Sequence, residues 1–160
     1  MPVSGPEFKQ ALASWASGVT IVTSRADTRV QGMTVSAFSS VSLDPPLILV
    51  CADLQSTTHE LIQQSKMLSI SVLEQSQSAL SNRFASKQDE HRRFEGLECR
   101  DGATGCPRVP GAIAWLDCRV VQAVAAGDHV LYVAEVVELE IGRGEPLIYF
   151  RGRYARITPT

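Results

Sequence analysis

The sequence of 160 residues is short of long apolar runs, of net charge, of cysteine and of phosphate-loop glycines. Each shortage removes a class of function. The longest apolar run, Leu47 to Ala52, falls far below the ~20 residues that cross a bilayer. Net charge is −2, from 15 basic and 17 acidic residues, whereas nucleic-acid binders concentrate positive charge against phosphates. The locally basic Arg92-Arg93 and Arg151 to Arg156 read as solvated faces. Cys51, Cys99, Cys106 and Cys118 are too few for a disulfide scaffold and too scattered for a zinc ribbon. The first residues, Met1 to Glu7, carry neither the basic nor the apolar region of an export signal. Reduced thiols and a cytoplasmic location are therefore expected.

Motif absences narrow the field further. A Rossmann site needs G-x-G-x-x-G between a strand and a helix. Gly142-Arg143-Gly144 lacks the third glycine and runs into Pro146. No G-K-[ST] occurs, so a P-loop is excluded. His59-Glu60 begins like a zincin motif, but Gln63 stands where the second histidine belongs, so no metal is expected. No G-x-S-x-G elbow is present, which disfavours an esterase.

The composition that remains, 44% apolar and 20% charged, is that of a globular domain. Its length fits one domain spanning residues 1–160. Ser4, Pro6 and Glu7 form a helix start with a capping box. Phe8, Leu12 and Trp15 then fall near one face, so this helix is expected to pack onto something, with Gly18 ending it. Strands are expected at Val19 to Thr23, Gly32 to Val41 and Leu47 to Cys51, the last buried on both faces. Pro45-Pro46 separates the second from the third. Thr57 and Glu60 stand at capping-box spacing for a second helix. Met67 to Leu73 alternates as a strand, and Ser76 to Ala85 reads as a third helix. Lys87 to Gly96 is expected to be an exposed loop or lid. Two long strands, Ala112 to Ala125 and His129 to Ile141, flank the Gly127-Asp128 turn, and Leu147 to Phe150 and Tyr154 to Ile157 close the chain. Strands and helices do not alternate, so an antiparallel barrel with helices at its rim is expected rather than a doubly wound sheet.

Three segments occur in a telling order. They are Gly32-Met33-Thr34-Val35-Ser36-Ala37-Phe38, continuing to Pro46; Gly127-Asp128-His129; and Pro146 to Tyr154. Together they resemble the flavin reductase-like family, whose members serve two-component monooxygenases, and the likeness runs from Phe8 to Ile157. The resemblance implies an all-β split barrel of Greek-key, FMN-binding type, built as a homodimer with FMN or FAD at its interface. It implies that Met33, Thr34, Val35, Ser36, Ala37, Ser40, Cys51 and Ala52 line the flavin. Ser56, Thr57 and Thr58 match the family's S-x-T loop, at a helix start where free N–H groups favour a phosphate. Simple N-capping is the alternative role, and the two can coexist. Phe84, Ala85 and Lys87 match an F-A-x-K segment beside the flavin. His129 is implied as the catalytic residue nearest the nicotinamide, with Arg151 and Tyr154 as its partners. Leu54-Gln55 replaces basic residues often seen before the S-x-T loop.

The expected activity is reduction of a diffusible flavin by NADH or NADPH, the reduced flavin passing to a partner monooxygenase. Neither a nucleic acid nor a membrane is an expected partner. The alternative is a flavin-binding electron-transfer protein or binding module of the same fold.

Overall fold

A computed structural model describes residues 2–160. Helix α1 (Gly5–Leu12) is followed by strands β1 (Ser17–Gly18), β2 (Thr20–Ala26), β3 (Arg29–Val35), β4 (Phe38–Leu43) and β5 (Pro46–Asp53). Helix α2 (Thr57–Ser65), strand β6 (Met67–Val72) and helix α3 (Ser78–Ala85) come next, then a 3₁₀ turn at Glu90–Arg92. Strands β7 (Arg100–Asp101), β8 (Pro107–Arg108), β9 (Ala114–Ala126), β10 (His129–Ile141), β11 (Ile148–Phe150) and β12 (Arg153–Ala155) complete the chain.

Seven strands form one antiparallel sheet in the order β3-β2-β6-β9-β10-β5-β4. Its two edge strands are consecutive in sequence, joined only by Ser36 and Ala37. The sheet therefore curls until its edges approach each other, and the split in the barrel falls at those two residues.

β2 is where two cores meet. Val22 faces the barrel interior with Leu68, Ile70, Val50, Tyr132 and Ala134. Ile21 faces the other way, packing with Val19, Leu73, Phe84, Val109 and Leu147. β-Branched residues on both faces suit a strand with no solvent side. Thr23 donates to the Pro107 carbonyl (2.6 Å) and Ser71 accepts from the Val109 N–H (3.0 Å), whereas the buried Ser69 hydroxyl has no partner among the described residues. Gly32 lets α3 close on β3, because a Cβ there would stand 2.9 Å from Phe84 Cε1.

Several boundaries differ from the sequence expectation. The expected strand Gly32 to Val41 is two strands, since the chain leaves one sheet edge and joins the other at Ser36-Ala37. β5 is not buried on both faces: Ile48, Val50 and Ala52 point into the core, and Leu47, Leu49 and Cys51 lie half-buried outside. The second helix is capped by Ser56, whose hydroxyl accepts from the His59 N–H at 3.0 Å, rather than by Thr57. α1 has its expected Ser4/Glu7 capping box but ends at Leu12, well before Gly18, and buries none of its residues. Phe8, Leu12 and Trp15 are 56%, 55% and 79% exposed, so the body of this chain does not cover the face expected to pack. The loop after α3 is pinned: the buried Arg93 guanidinium donates to the carbonyls of Gly32 (2.8 Å) and Ser86 (2.9 Å). No helix among the described residues is long and apolar enough to cross a membrane.

Candidate functional site

The split at Ser36-Ala37 opens a cleft of about 620 Å³. Its floor is Ala37, Phe38, Leu49 and Cys51. α1 and the residues after it form one wall, and the β11–β12 turn with Tyr149, Arg151 and Gly152 forms the other. The floor stays in place because the Cys51 N–H donates to the Ala37 carbonyl (3.1 Å) and the Phe38 N–H to the Ser36 carbonyl (2.9 Å). Both carbonyls are thus used. The Ser36 and Ala37 N–H groups take no backbone acceptor among the described residues, which leaves two adjacent donors at the rim. Burial pushes the Cys51 thiol above its ordinary value, so the floor is lined by a neutral sulfur.

A second, more polar hollow of about 280 Å³ adjoins the first through Ser36, Tyr149 and Gly152. Thr34 donates to the Ser81 carbonyl at 2.6 Å. The Tyr154 hydroxyl lies 2.7 Å from Asn82 Oδ1 and 2.8 Å from Ser81 Oγ. These bonds tie β3, α3 and β12 together, so hydroxyl and amide groups from three distant stretches of sequence line one hollow. The two hollows form a continuous cleft with an apolar end and a hydrogen-bonding end.

The expected site residues divide by burial. Thr34, Ser36, Ala37, Cys51, Ala85, Arg151 and Tyr154 line one or both hollows. Met33, Val35, Ala52 and Phe84 are buried with their side chains in the cores, so only their backbones can face a ligand. Ser40 lies away from the cleft, in a groove with Leu43, Pro46 and Val136. Ser56 is spent as a helix cap. Thr57 and Thr58 hydroxyls are buried without partners, and Thr58 has no exposed surface. Lys87 is exposed in the loop after α3.

His129 lines neither hollow, but the strand register places it near the first. It pairs with Asp53 across β5, while Leu131 pairs with Cys51. His129 and Cys51 are therefore diagonal neighbours on the outer face of the sheet. Its Nδ1 lies 2.7 Å from Asp128 Oδ1, and that hydrogen bond and the imidazole's charge hold the Asp128 carboxyl below its usual range.

The sequence reading missed Lys9, Leu12, Trp15, Ser17, Leu49 and Tyr149 in the first hollow and Ser81 and Asn82 in the second. The apolar face of α1 was a signal for the first group, read as packing. Ser81 and Asn82 carry no local signal, because their meeting with Tyr154 is set by tertiary structure.

Comparison with known proteins places these features in context. Residues 12–158 match the family model described as "Flavin reductase like domain". The chain is 37% identical over 158 residues to the reductase component of 4-nitrophenol 4-monooxygenase/4-nitrocatechol 2-monooxygenase from Rhodococcus opacus, covering 99% of this chain and 84% of that protein. It is 36% identical over 151 residues to an FMN reductase (NADH) from Agrobacterium fabrum, covering 94% and 85%. The NADH:FAD oxidoreductase of Streptomyces globisporus, solved with NAD and FAD fragments, superposes with a TM-score of 0.90 at 28% identity, over 99% of this chain and 98% of that one.

Proposed function

The chain belongs to the flavin reductase-like family and is an NAD(P)H-dependent flavin reductase that supplies reduced flavin to a monooxygenase; we propose that the flavin lies in the cleft at Ser36-Ala37. The observation that carries this placement is the pairing of an apolar floor with two adjacent backbone donors. A flavin ring system is flat and largely apolar, with hydrogen-bonding edges. Ala37 and Cys51 are small enough to let such a ring approach the backbone, and Ser36 and Ala37 N–H groups would meet its polar edge. Thr34, Ser81, Asn82 and Tyr154 suit a polyhydroxyl chain in the second hollow. FAD is accepted on this reading as well as FMN.

A flavin bound there would supply the redox chemistry, accepting a hydride from the nicotinamide cosubstrate. The protein's own residues contribute geometry. The floor fixes one ring face, Tyr149 walls the opening, and the rim donors set the ring's rotation. With one ring nitrogen held by Asp128, His129 presents the other toward the nicotinamide. Arg151, at the mouth of the first hollow, is a partner for the rest of that cosubstrate, while Tyr154, bonded to Ser81 and Asn82, stays with the second hollow. Hydride transfer itself requires no protein acid.

The site is completed by a second copy of the chain. Leu49, Cys51, Leu131 and Val133 lie half-buried on the outer face of β5 and β10, next to the exposed Val124. This apolar surface runs directly into the cleft floor, which fits a homodimer with flavin at its edge. Residues 1–160 act as one domain, and the enzyme works in the cytoplasm.

The test is steady-state oxidation of NADH and NADPH with added FMN, FAD or riboflavin. Flavin-dependent turnover is expected, and its absence with both nucleotides overturns the reading. His129→Ala is expected to raise KM for the nucleotide more than for flavin. Equal loss of both, or unchanged kinetics, removes His129 from the nicotinamide site.

A further inference from the structure

The adjacent arginines Arg92 and Arg93 meet opposite fates in the fold. Arg92 stays exposed, near Asp89 (3.9 Å) and Glu95 (3.6 Å). Arg93 is only 5% exposed, yet it has no carboxylate within ion-pair reach among the described residues. Arg108, also buried, meets Asp117, Glu138 and Glu140. Burial pulls the Arg93 guanidinium below its ordinary pKa, which Glu90 and Asp89 offset only in part. Its Nε–H is buried without a partner among the described residues. A cation buried in this state costs stability, so ion pairing is not what the fold gains from it. What Arg93 does hold is a pair of backbone carbonyls from two elements. They are Gly32 on β3 at 2.8 Å and Ser86 at the end of α3 at 2.9 Å.

These two bonds bracket the second hollow from behind. Two residues beyond Gly32, Thr34 donates to the Ser81 carbonyl. Just before Ser86 come Asn82 and Ala85, which line the hollow with Thr34 and Ser81. We propose that Arg93 is a positioning residue: its planar fork clamps the end of α3 to β3 and so sets the spacing of the groups that meet the flavin's polyhydroxyl chain. Arginine suits the task, because one rigid guanidinium reaches two acceptors at once where an ammonium is a point charge. Bonds from a charged donor are also about twice as strong as neutral ones. Phe84 against Gly32 brings α3 and β3 together, but apolar packing is non-directional; the clamp supplies the direction. The inference rests on the reading that the second hollow takes that chain.

The experiment compares Arg93→Met and Arg93→Lys with the parent protein, using FMN, riboflavin and lumiflavin. Lumiflavin has a methyl group in place of the polyhydroxyl chain. Arg93→Met is expected to raise KM for FMN and riboflavin about five- to tenfold, the scale of one lost hydrogen bond. KM for lumiflavin and for NADH stays at the parent value. Arg93→Lys shows the same split, since it keeps the charge and loses the fork. Hydrogen exchange gives a readout independent of turnover. Amides of α3 exchange faster in both variants, while those of β2 and β6 exchange as in the parent. Either variant carries the comparison if the other does not fold. Equal KM rises for riboflavin and lumiflavin, no rise for either, or unchanged exchange in α3 overturn the proposal. So does parent-like KM in Arg93→Lys, which would mean that charge alone matters. Failure of both variants to fold overturns it too, because Arg93 would then support the fold rather than the hollow. Should the parent protein use riboflavin and lumiflavin with equal KM, the reading of the hollow fails by itself, and exchange in α3 still decides whether Arg93 is a clamp.

Discussion

The two sides of the sheet treat similar side chains in opposite ways. Around β2 and β6, apolar residues are sealed on both faces: Ile21, Val22, Leu68, Ile70 and Phe84 have no exposed surface. Beside them a charged cluster locks the far end. Arg108 Nη2 meets Asp117 Oδ2 and, at 2.6 Å, Glu138 Oε2, while Nη1 reaches Glu140 Oε2 at 3.2 Å. Gly102 packs so closely that a Cβ would overlap the Asp117 carboxylate, and the Ala103 N–H donates to the same oxygen at 3.1 Å. Around α1, β4, β5 and β10 the chain leaves Phe8, Leu12, Trp15, Leu43 and Leu139 in solvent. The difference teaches where the sequence spends hydrophobicity on folding and where it reserves it for ligand and partner.

Breaking the sealed side should be expensive. Arg108→Ala strands the fully buried Asp117 carboxylate and should cost about 3–5 kcal/mol of stability, measured by urea unfolding. A cost below about 1 kcal/mol would mean that the cluster is solvated and the two sides are less unlike than described. Phe84→Ala should cost about 3–5 kcal/mol by the same measurement, because the ring is sealed against Gly32 and Phe94. On the open side, Trp15→Ala should change unfolding stability by no more than about 0.5 kcal/mol, as for surface positions without a packing role. A larger loss would show that Trp15 supports the fold. The smallest effect separates the cysteines. Burial pushes the Cys118 thiol up to about 12, so only about one in ten thousand is thiolate at pH 8. Cys51, half-buried in the cleft floor, should therefore label before Cys118 with a thiol reagent in the native protein, and added flavin should slow it. Earlier labelling of Cys118 would contradict the sealed side.

Much of the sealed side was legible in sequence, and little of the open side. β-Branched residues marked β2, alternation marked β6, and Gly127-Asp128 marked the turn between the two long strands β9 and β10. Ser4, Pro6 and Glu7 located the start of α1, since capping is local chemistry. What α1 packs against is not local, so Phe8, Leu12 and Trp15 looked like core. Alternation continues through Ser36-Ala37, which hid the break between β3 and β4. Only the approach of the two sheet edges creates it. The family's ordered motifs pointed to Ser36, Ala37 and Cys51 on the floor. The meeting of Ser81 and Asn82 with Tyr154, and of Arg108 with Glu138, joins residues far apart in sequence and leaves no pattern along the chain.

The central claim is that the cleft at Ser36-Ala37 holds the flavin and that the fold does not depend on its being open. Ala37→Trp tests both halves, because Ala37 is exposed at the floor and an indole there would fill the space a flavin ring needs. The measurement is anaerobic reduction of FMN by NADH, followed by loss of the oxidised flavin's absorbance, beside a urea unfolding curve of the same preparation. The predicted result is flavin reduction lost with the unfolding midpoint unchanged. Reduction at the parent rate by a folded Ala37→Trp protein would contradict the account.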